Sequence, residues 1–264
     1  RLADGYPSFI QIGLQYRYKA QYVEAIHETL KRKTIGDLKT ISISEHRPPF
    51  LDKVKQWNKF SRYSGGTLIE KCCHYFDLIN LFAQSQPKNI YASGGRAFNF
   101  IDFSYNGKNS DIDDHAFVVI EYQNGIKANF TLNMFCPDFS EKLILCAEKG
   151  RIISSEKYSP KNNGHSSARI QIELGEDGSS RDSMVSYPSE IEKSGHHGAT
   201  FFEHIELIKK LNGEPSNSAT VIEGLWSVVI ASAAQKSIET GSKIDVDDFL
   251  KKKKLSWIIN FKNN

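Results

Sequence analysis

The sequence predicts an α+β fold: a large, mainly antiparallel β-sheet with helices packed on one face. Three observations carry this. Strand-like runs follow one another from Asn89 to Leu174 with no helical pattern between them, which is the signature of antiparallel rather than parallel pairing. Gln123-Asn124-Gly125 joins two of those runs as a tight hairpin. Helical periodicity is confined to the two ends of the chain, so the helices do not alternate with the strands and gather to one side of the sheet.

The chain opens at Arg1, and a strand-like run, Phe9 to Leu14, begins almost at once, which reads as an entry in mid-protein. Val23, Ile26 and Leu30 then recur at helical spacing before Gly36, predicting a helix over about residues 19 to 33. Leu38 to Ser44 alternates as a strand that Pro48-Pro49 ends, and residues 48 to 63 read as a long loop carrying Trp57, Arg62 and Tyr63. Gly65-Gly66-Thr67 opens a second helix to about Ala83, anchored by Leu68, Ile69, Cys72, Cys73, Phe76 and Ile79.

The strands that follow are Ile90 to Gly94, Ala116 to Tyr122, Ile126 to Leu132, Lys142 to Ala147, Arg151 to Ser154 and Arg169 to Leu174. Residues 155 to 167 and 175 to 195, polar and rich in Gly and Ser, read as loops. Helices over Thr200 to Leu211 and Val221 to Thr240 close the pattern, each with a glycine near its end, Gly213 and Gly241.

Composition narrows the function classes. Of 264 residues 39% are hydrophobic and 25% charged, an ordinary globular balance that does not favour disorder. The net charge of +3 comes from nearly matched acids and bases, and the basic run Lys251 to Lys254 lacks the aromatic-interleaved stripe of a nucleic-acid surface. No apolar run approaches the ~18 residues needed to span a bilayer, and no signal peptide is seen. Adjacent Cys72 and Cys73 suit a reducing compartment, so a cytoplasmic location is expected.

Glu70, His74 and Asp77 lie at i, i+4 and i+7, within an arc of about 60° on a continuous helix. Carboxylates beside an imidazole orient it and favour its charged form, giving a proton carrier. The same spacing describes an incidental ion pair on a solvated face, and spacing alone leaves both readings open. A metal shell from Glu70, Cys72, Cys73 and His74 is not expected, because adjacent helical cysteines point about 100° apart. His196-His197 stands between Gly195 and Gly198 ahead of a helix, where loop side chains and free amides can face a ligand. No G-x-G-x-x-G phosphate cradle is present, since Gly94-Gly95-Arg96 lacks the spacing and the following helix.

Three runs in order, Ile12-Gly13-Leu14-Gln15-Tyr16-Arg17-Tyr18, Thr34-Ile35-Gly36-Asp37 and Gly65-Gly66-Thr67-Leu68-Ile69-Glu70-Lys71-Cys72-Cys73-His74-Tyr75-Phe76-Asp77-Leu78, resemble the C-terminal part of the Gfo/Idh/MocA oxidoreductases. Gly195 to Gly198 and Ala233 to Gly241 fit the same resemblance, which covers nearly the whole chain. It implies that residues 1–18 end a nucleotide-binding domain and its linker strand, and that 19–264 form the substrate domain.

The activity so implied is NAD(P)-dependent: hydride transfer between a nicotinamide and a sugar or cyclitol hydroxyl or carbonyl. NAD or NADP would be held mainly by a Rossmann domain ending in an E-K-P segment, neither of which is in this sequence, and these residues alone would be inactive. The family's acid-x-x-x-His pair maps onto Glu70 and His74, with glutamate in place of the usual aspartate and His74 as proton acceptor. Arg17 is implied near cofactor or substrate, and Asp77, His196 and His197 as substrate-side residues. A homodimer or homotetramer through the open sheet face is expected, with no metal, nucleic acid or membrane partner. A non-catalytic binding or oligomerisation module on the same fold is the rival reading.

Overall fold

Alternation of apolar and polar residues decides which face of each strand is buried, and the buried faces line up under the helices. The computed structural model describes residues 3, 5–159, 165–175 and 178–260. A 3₁₀ turn, Gln15–Tyr18, leads into α1 (Ala20–Ile26), which continues as a π-helical turn over His27–Lys31. The first strand is β1 (Leu38–His46). A 3₁₀ stretch (Val54–Lys59) and three helices follow: α2 (Ser61–Ser64), α3 (Thr67–Glu70) and α4 (Cys73–Ala83).

Next come β2 (Pro87–Gly95), a small hairpin of β3 (Ser104–Tyr105) and β4 (Lys108–Asn109), then β5 (His115–Tyr122), β6 (Lys127–Asn133), β7 (Ser140–Ala147), β8 (Gly150–Ser159), β9 (His165–Leu174) and β10 (Arg181–Val185). The chain closes with α5 (Ser189–Glu192), a 3₁₀ turn (His196–Gly198), α6 (Ala199–Leu211), α7 (Val221–Thr240), β11 (Ile244–Asp245), α8 (Val246–Lys252) and a last 3₁₀ turn (Ser256–Asn260).

Among the described residues the main sheet has nine strands in the order β10-β9-β8-β7-β1-β6-β5-β2-β11. Every pairing is antiparallel except β1 with β6, where Ile43 stands opposite Phe130 in parallel register. The expected α+β architecture is therefore present. Ile41, Ile43, Val118, Ile120, Phe130, Leu132, Leu143 and Leu145 point to one face and are fully or almost fully buried beneath the helices. Tyr75 and Phe76 fix α4 to that face, stacking on Phe130 at 5.2 Å and meeting its edge at 5.3 Å. Such aromatic pairs each add about 0.5–1.5 kcal/mol beyond their area.

Helix α7 runs between α4 and β2 and is buried on most sides, through Trp226, Val229, Ile230, Ala233 and Ala234. Its start is set by a capping box, with the Thr220 side chain accepting from Glu223 N and the Glu223 carboxylate accepting from Thr220 N. Gly241, at φ +64°, ends it in the left-handed conformation that glycine adopts without strain.

Several local expectations are corrected. The run Phe9 to Leu14 is not a sheet strand; it makes one isolated bridge, Ile12 to Ala219, because it lies over α7, where a Cβ on Gly224 would come within 2.9 Å of Ile12. The first helix buries Tyr22, Ala25 and Thr29 instead of Val23, which is exposed, and the π-turn rotates the face that Ile26 and Leu30 continue. The second helix is interrupted at Lys71-Cys72. The region 48 to 63 holds two short helical turns, and the expected loop at 175 to 195 contains β10 and α5. Of the two expected loops, residues 160–164 and 176–177 lie outside the described residues. In the β5–β6 turn only Gly125 takes positive φ, at +89°, while Asn124 caps the turn by accepting from Ile126 N.

Candidate active site

The interruption at Lys71-Cys72 decides where the three candidate residues of the second helix go. Thr67 donates its hydroxyl to Asp113 O at 2.5 Å and fixes the start of α3, while Gly65 and Gly66 supply the positive φ angles that turn the chain into it. Glu70, the last residue of α3, accepts from Lys53 Nζ at 2.9 Å. His74 lies in the first turn of α4. Asp77 is buried and grips Arg17 with both carboxylate oxygens, each at 2.6 Å. The expected carboxylate-flanked imidazole is thus not what the fold builds, because each acid has a cation of its own.

Arg17, on the N-terminal 3₁₀ turn, also meets Glu223 at 3.1 Å. Burial opposes its charge, but Asp77 and then Glu223 outweigh burial and raise its pKa. Arg17 and Asp77 therefore brace the N-terminal segment, α4 and α7 against one another, with their charges satisfied inside the domain. A bidentate arginine–carboxylate contact gives geometric definition as well as energy.

What surrounds His74 instead is an aromatic plate and a ring of cations. Its imidazole stacks on the Tyr16 ring, centroids 4.7 Å apart and planes 21° from parallel. Tyr16 is nearly fully buried and held on several sides. Lys71 Nζ donates to its hydroxyl at 2.7 Å, Lys19 Nζ sits 4.3 Å from its ring centroid, and Tyr75 meets it edge-on at 5.2 Å. Lys71 in turn is 3.6 Å from Glu45, on β1, which Arg47 also approaches at 3.4 Å.

Behind this plate lies a buried polar network. Lys19 donates to Glu141 on β7 at 2.8 Å and to Glu156 on β8 at 2.9 Å. Gln21 reaches the same two carboxylates, and Tyr75 donates to Glu141 at 2.8 Å. His197 Nε2 closes the network on Glu156 at 3.1 Å. Burial works against the Glu156 carboxylate, yet Lys19 and His197 outweigh it and hold its pKa well below the usual range. Burial lifts Glu141 instead, against the pull of Lys19.

His196 and His197 both have left-handed backbone angles between Gly195 and Gly198. The turn is tight, since a Cβ on Gly198 would stand 2.7 Å from Tyr187. The two rings part company. His197 turns to Glu156, whose hydrogen bond raises its pKa. His196 turns to the Tyr16 side, 6.2 Å from that ring, with Gln15 and Thr200 as polar neighbours. The structure therefore brings His74 and His196 to one locus, sets His197 just behind it, and commits Glu70 to Lys53 and Asp77 to Arg17.

The electrostatics of His74 follow from these neighbours. Burial first, then Lys71, His196 and Lys19, push its pKa down to about 3, so the imidazole is neutral across the physiological range. Its Nδ1 is sealed from solvent with no hydrogen-bond partner, which leaves Nε2 as the nitrogen that can meet a ligand. A neutral imidazole is the form that accepts a proton, while the ammonium groups that keep it neutral also weaken it as a base until a bound ligand changes its surroundings.

Sequence reasoning missed Tyr16, Lys19, Lys71, Glu45, Glu141 and Glu156. Lys71 adjoins Glu70 and two of the others lie in the Tyr16-Arg17-Tyr18-Lys19 run, but nothing local shows that they converge. A polar residue at a core-parity position is the usable signal: Glu45, Glu141 and Glu156 each continue the inward-facing set of their strand. A groove lined by Val228, Lys236, Ile244, Asp248 and Phe249 shares no residue with this locus. Among the described residues no group of three His, Cys, Asp or Glu could hold a metal ion, and no helix is long and apolar enough to cross a membrane.

Comparisons with known proteins converge on one family. Residues 27–246 match the profile of an oxidoreductase family's C-terminal alpha/beta domain. A Bacillus subtilis protein, YteT, assigned by name as an oxidoreductase, is 24% identical over 99 residues, 37% of this chain and 23% of its own length. The structure of levoglucosan dehydrogenase in complex with NADH and levoglucosan superposes with a TM-score of 0.70 at 14% identity, covering 90% of this chain and 66% of that one. The aldose-aldose oxidoreductase of Caulobacter crescentus, complexed with glycerol, superposes with a TM-score of 0.63 at 15% identity, covering 90% of this chain and 64% of that one. This chain thus spans less than two thirds of the length of these structures and about a quarter of the curated relative. The match over most of its length establishes that the chain belongs to the Gfo/Idh/MocA oxidoreductase family, of which it carries the C-terminal domain.

Proposed function

We propose that this chain is the substrate-binding and catalytic part of an NAD(P)-dependent oxidoreductase acting on a hydroxyl or carbonyl of a sugar or cyclitol. The observation that carries the proposal is the His74 imidazole, stacked on Tyr16 with Nδ1 sealed away and Nε2 left to meet a ligand. The solved relatives whose names include NADH, levoglucosan and glycerol support the substrate class and the cofactor type.

A nicotinamide cofactor, when bound, supplies the hydride acceptor or donor. No phosphate cradle is found among the residues of this chain, so its residues contribute at the reacting end. His74 Nε2 takes the hydroxyl proton as the alcohol is oxidised and returns it in the reverse direction. His196 and Gln15 line the same locus and are placed to hydrogen-bond neighbouring hydroxyls. Glu70, released from Lys53 or acting with it, is assigned to orient substrate at the edge of the site. Arg17 and Asp77 keep the N-terminal segment and α4 in register beneath it.

The open face of the sheet is assigned to self-association as a dimer or tetramer. Tyr91, Phe117 and Val119 remain 45%, 54% and 46% exposed there, side by side across β2 and β5.

The test is a panel of polyols and sugars with NAD and with NADP on the full-length protein, with sedimentation of the same preparation. Turnover with a polyhydroxylated ring and one nucleotide is the expected result, from a species larger than a monomer. Absence of turnover across the panel, with binding of a sugar retained, would move the assignment to a binding module.

A further inference from the structure

We propose that Tyr16 and Lys71 form one positioning unit for His74, the phenol ring fixing the plane of the imidazole and the ammonium fixing the phenol. The inference rests on the reading of His74 as the proton carrier and adds how the chain prepares it. A single-point hydrogen bond from Nδ1–H to a carboxylate or a carbonyl is the commonest way to orient an imidazole. Here Nδ1 has no partner, so orientation must come from the ring face.

That face is Tyr16, at 4.7 Å and 21°. Tyr16 cannot rotate away, because Lys71 holds its hydroxyl at 2.7 Å and Tyr75 abuts its edge. Lys71 is itself tethered, standing 3.6 Å from the buried Glu45. Burial opposes its charge, but Glu45 and Tyr16 outweigh burial and keep it an ammonium. The break between α3 and α4 contributes, since Lys71 falls in the interruption and is free of the helical direction that Glu70 and His74 follow.

The same unit sets the charge state. The groups facing the His74 ring are Lys71 from the turn before it, Tyr16 and Lys19 from the N-terminal segment, and His196 from the glycine-flanked turn. Glu45 lies beyond Lys71; Glu141, Glu156 and His197 lie beyond Lys19; and Asp77, farther along α4, is taken by Arg17. The nearest charges are therefore positive, and the neighbouring carboxylates are each bound to a cation. An imidazole so placed stays neutral until a substrate hydroxyl offers it a proton.

The test is a histidine-resolved NMR titration in the full-length protein, with the His74 signal assigned by its loss in His74→Gln. Lys71→Met is expected to raise the His74 midpoint by about one unit, the scale set by one nearby charge, and to move the acid limb of the kcat/KM profile with it. Lys71→Arg should keep the original midpoint. Tyr16→Phe removes one oxygen and should move the midpoint the same way by less, because Lys71 is then free to turn toward Glu45. Should Lys71→Met fail to fold, Tyr16→Phe carries the test. Folded variants whose His74 midpoint matches the parent overturn the unit. If the midpoint moves but His74→Ala keeps its turnover, the unit stands and the catalytic reading of His74 fails; an unmoved midpoint with an inactive His74→Ala gives the reverse.

Discussion

His74→Ala in the full-length protein is expected to lower the turnover number by about 10²- to 10⁴-fold, the usual worth of a positioned proton carrier. Folding should be nearly unaffected, because the imidazole makes a ring stack and no hydrogen bond at Nδ1, so its loss leaves no buried partner stranded. Nucleotide affinity should likewise be close to the parent. Glu70→Gln should cost less, since Glu70 reaches Lys53 rather than the imidazole. Steady-state kinetics on the best substrate of the panel decide the matter. Near-normal turnover in His74→Ala would mean that the proton takes another route, and a fall in melting temperature without a specific loss of turnover would mark the residue as structural.

The second large effect is on stability. Lys19→Met should destabilise the protein by about 3–5 kcal/mol, the range for removing one partner of a buried ionic cluster. Lys19 is 2% exposed and stands between Glu141 and Glu156, so the variant leaves two carboxylates facing each other in a dry interior. The sign of the pH dependence follows. In the parent the depressed pKa of Glu156 gives stability that is present above its unfolded pKa and lost only as pH falls through the low folded value. Without Lys19, burial and mutual repulsion lift Glu141 further and leave His197 alone to hold Glu156, so the variant gains stability as pH falls through the raised Glu141 value. Its deficit should therefore narrow as pH falls from neutrality, and Lys19→Met with Glu141→Gln should recover part of it. Urea unfolding at several pH values measures this. A deficit below about 1 kcal/mol, or one that ignores pH, would show that the network is not a paired cluster.

How far the sequence spoke can be judged residue by residue. Helix α7 was legible because Gly241 marks its stop, a local signal, while the Thr220–Glu223 capping box at its start became visible in the structure. The β5–β6 hairpin was legible for the same reason, with Gly125 supplying the positive φ. Strand β10 was not, since an edge strand paired only with β9 needs no apolar face, and Arg181, Asp182 and Ser183 read as loop. The break at Lys71-Cys72 was also hidden, because Glu70, Lys71 and Cys73 all suit a helix and what interrupts it is a tertiary arrangement. The pairing of Lys71 with Tyr16 spans 55 residues, and that of Lys19 with Glu156 spans 137, distances at which spacing carries no information. The ammonium groups around His74, in place of the carboxylates that its helical spacing suggested, were not legible.

The parallel pairing of β1 with β6 bears on how the chain reaches this structure. β6 and β7 are consecutive in sequence yet not adjacent in the sheet, because β1, from far earlier in the chain, lies between them. The hairpin β5–β6 and the meander β7–β8–β9 can each form from near neighbours, but they share no edge until β1 threads the gap and satisfies both. That step closes long loops before any contact rewards them, so it is the slow one. Glu45 rides on the inserted strand and Glu141 on the flank that it seals. The tether of Lys71 thus arrives with the final closure, and in pulse-labelled hydrogen exchange during refolding the amides of Ile41 and Ile43 should gain protection after those of Val118 and Ile152.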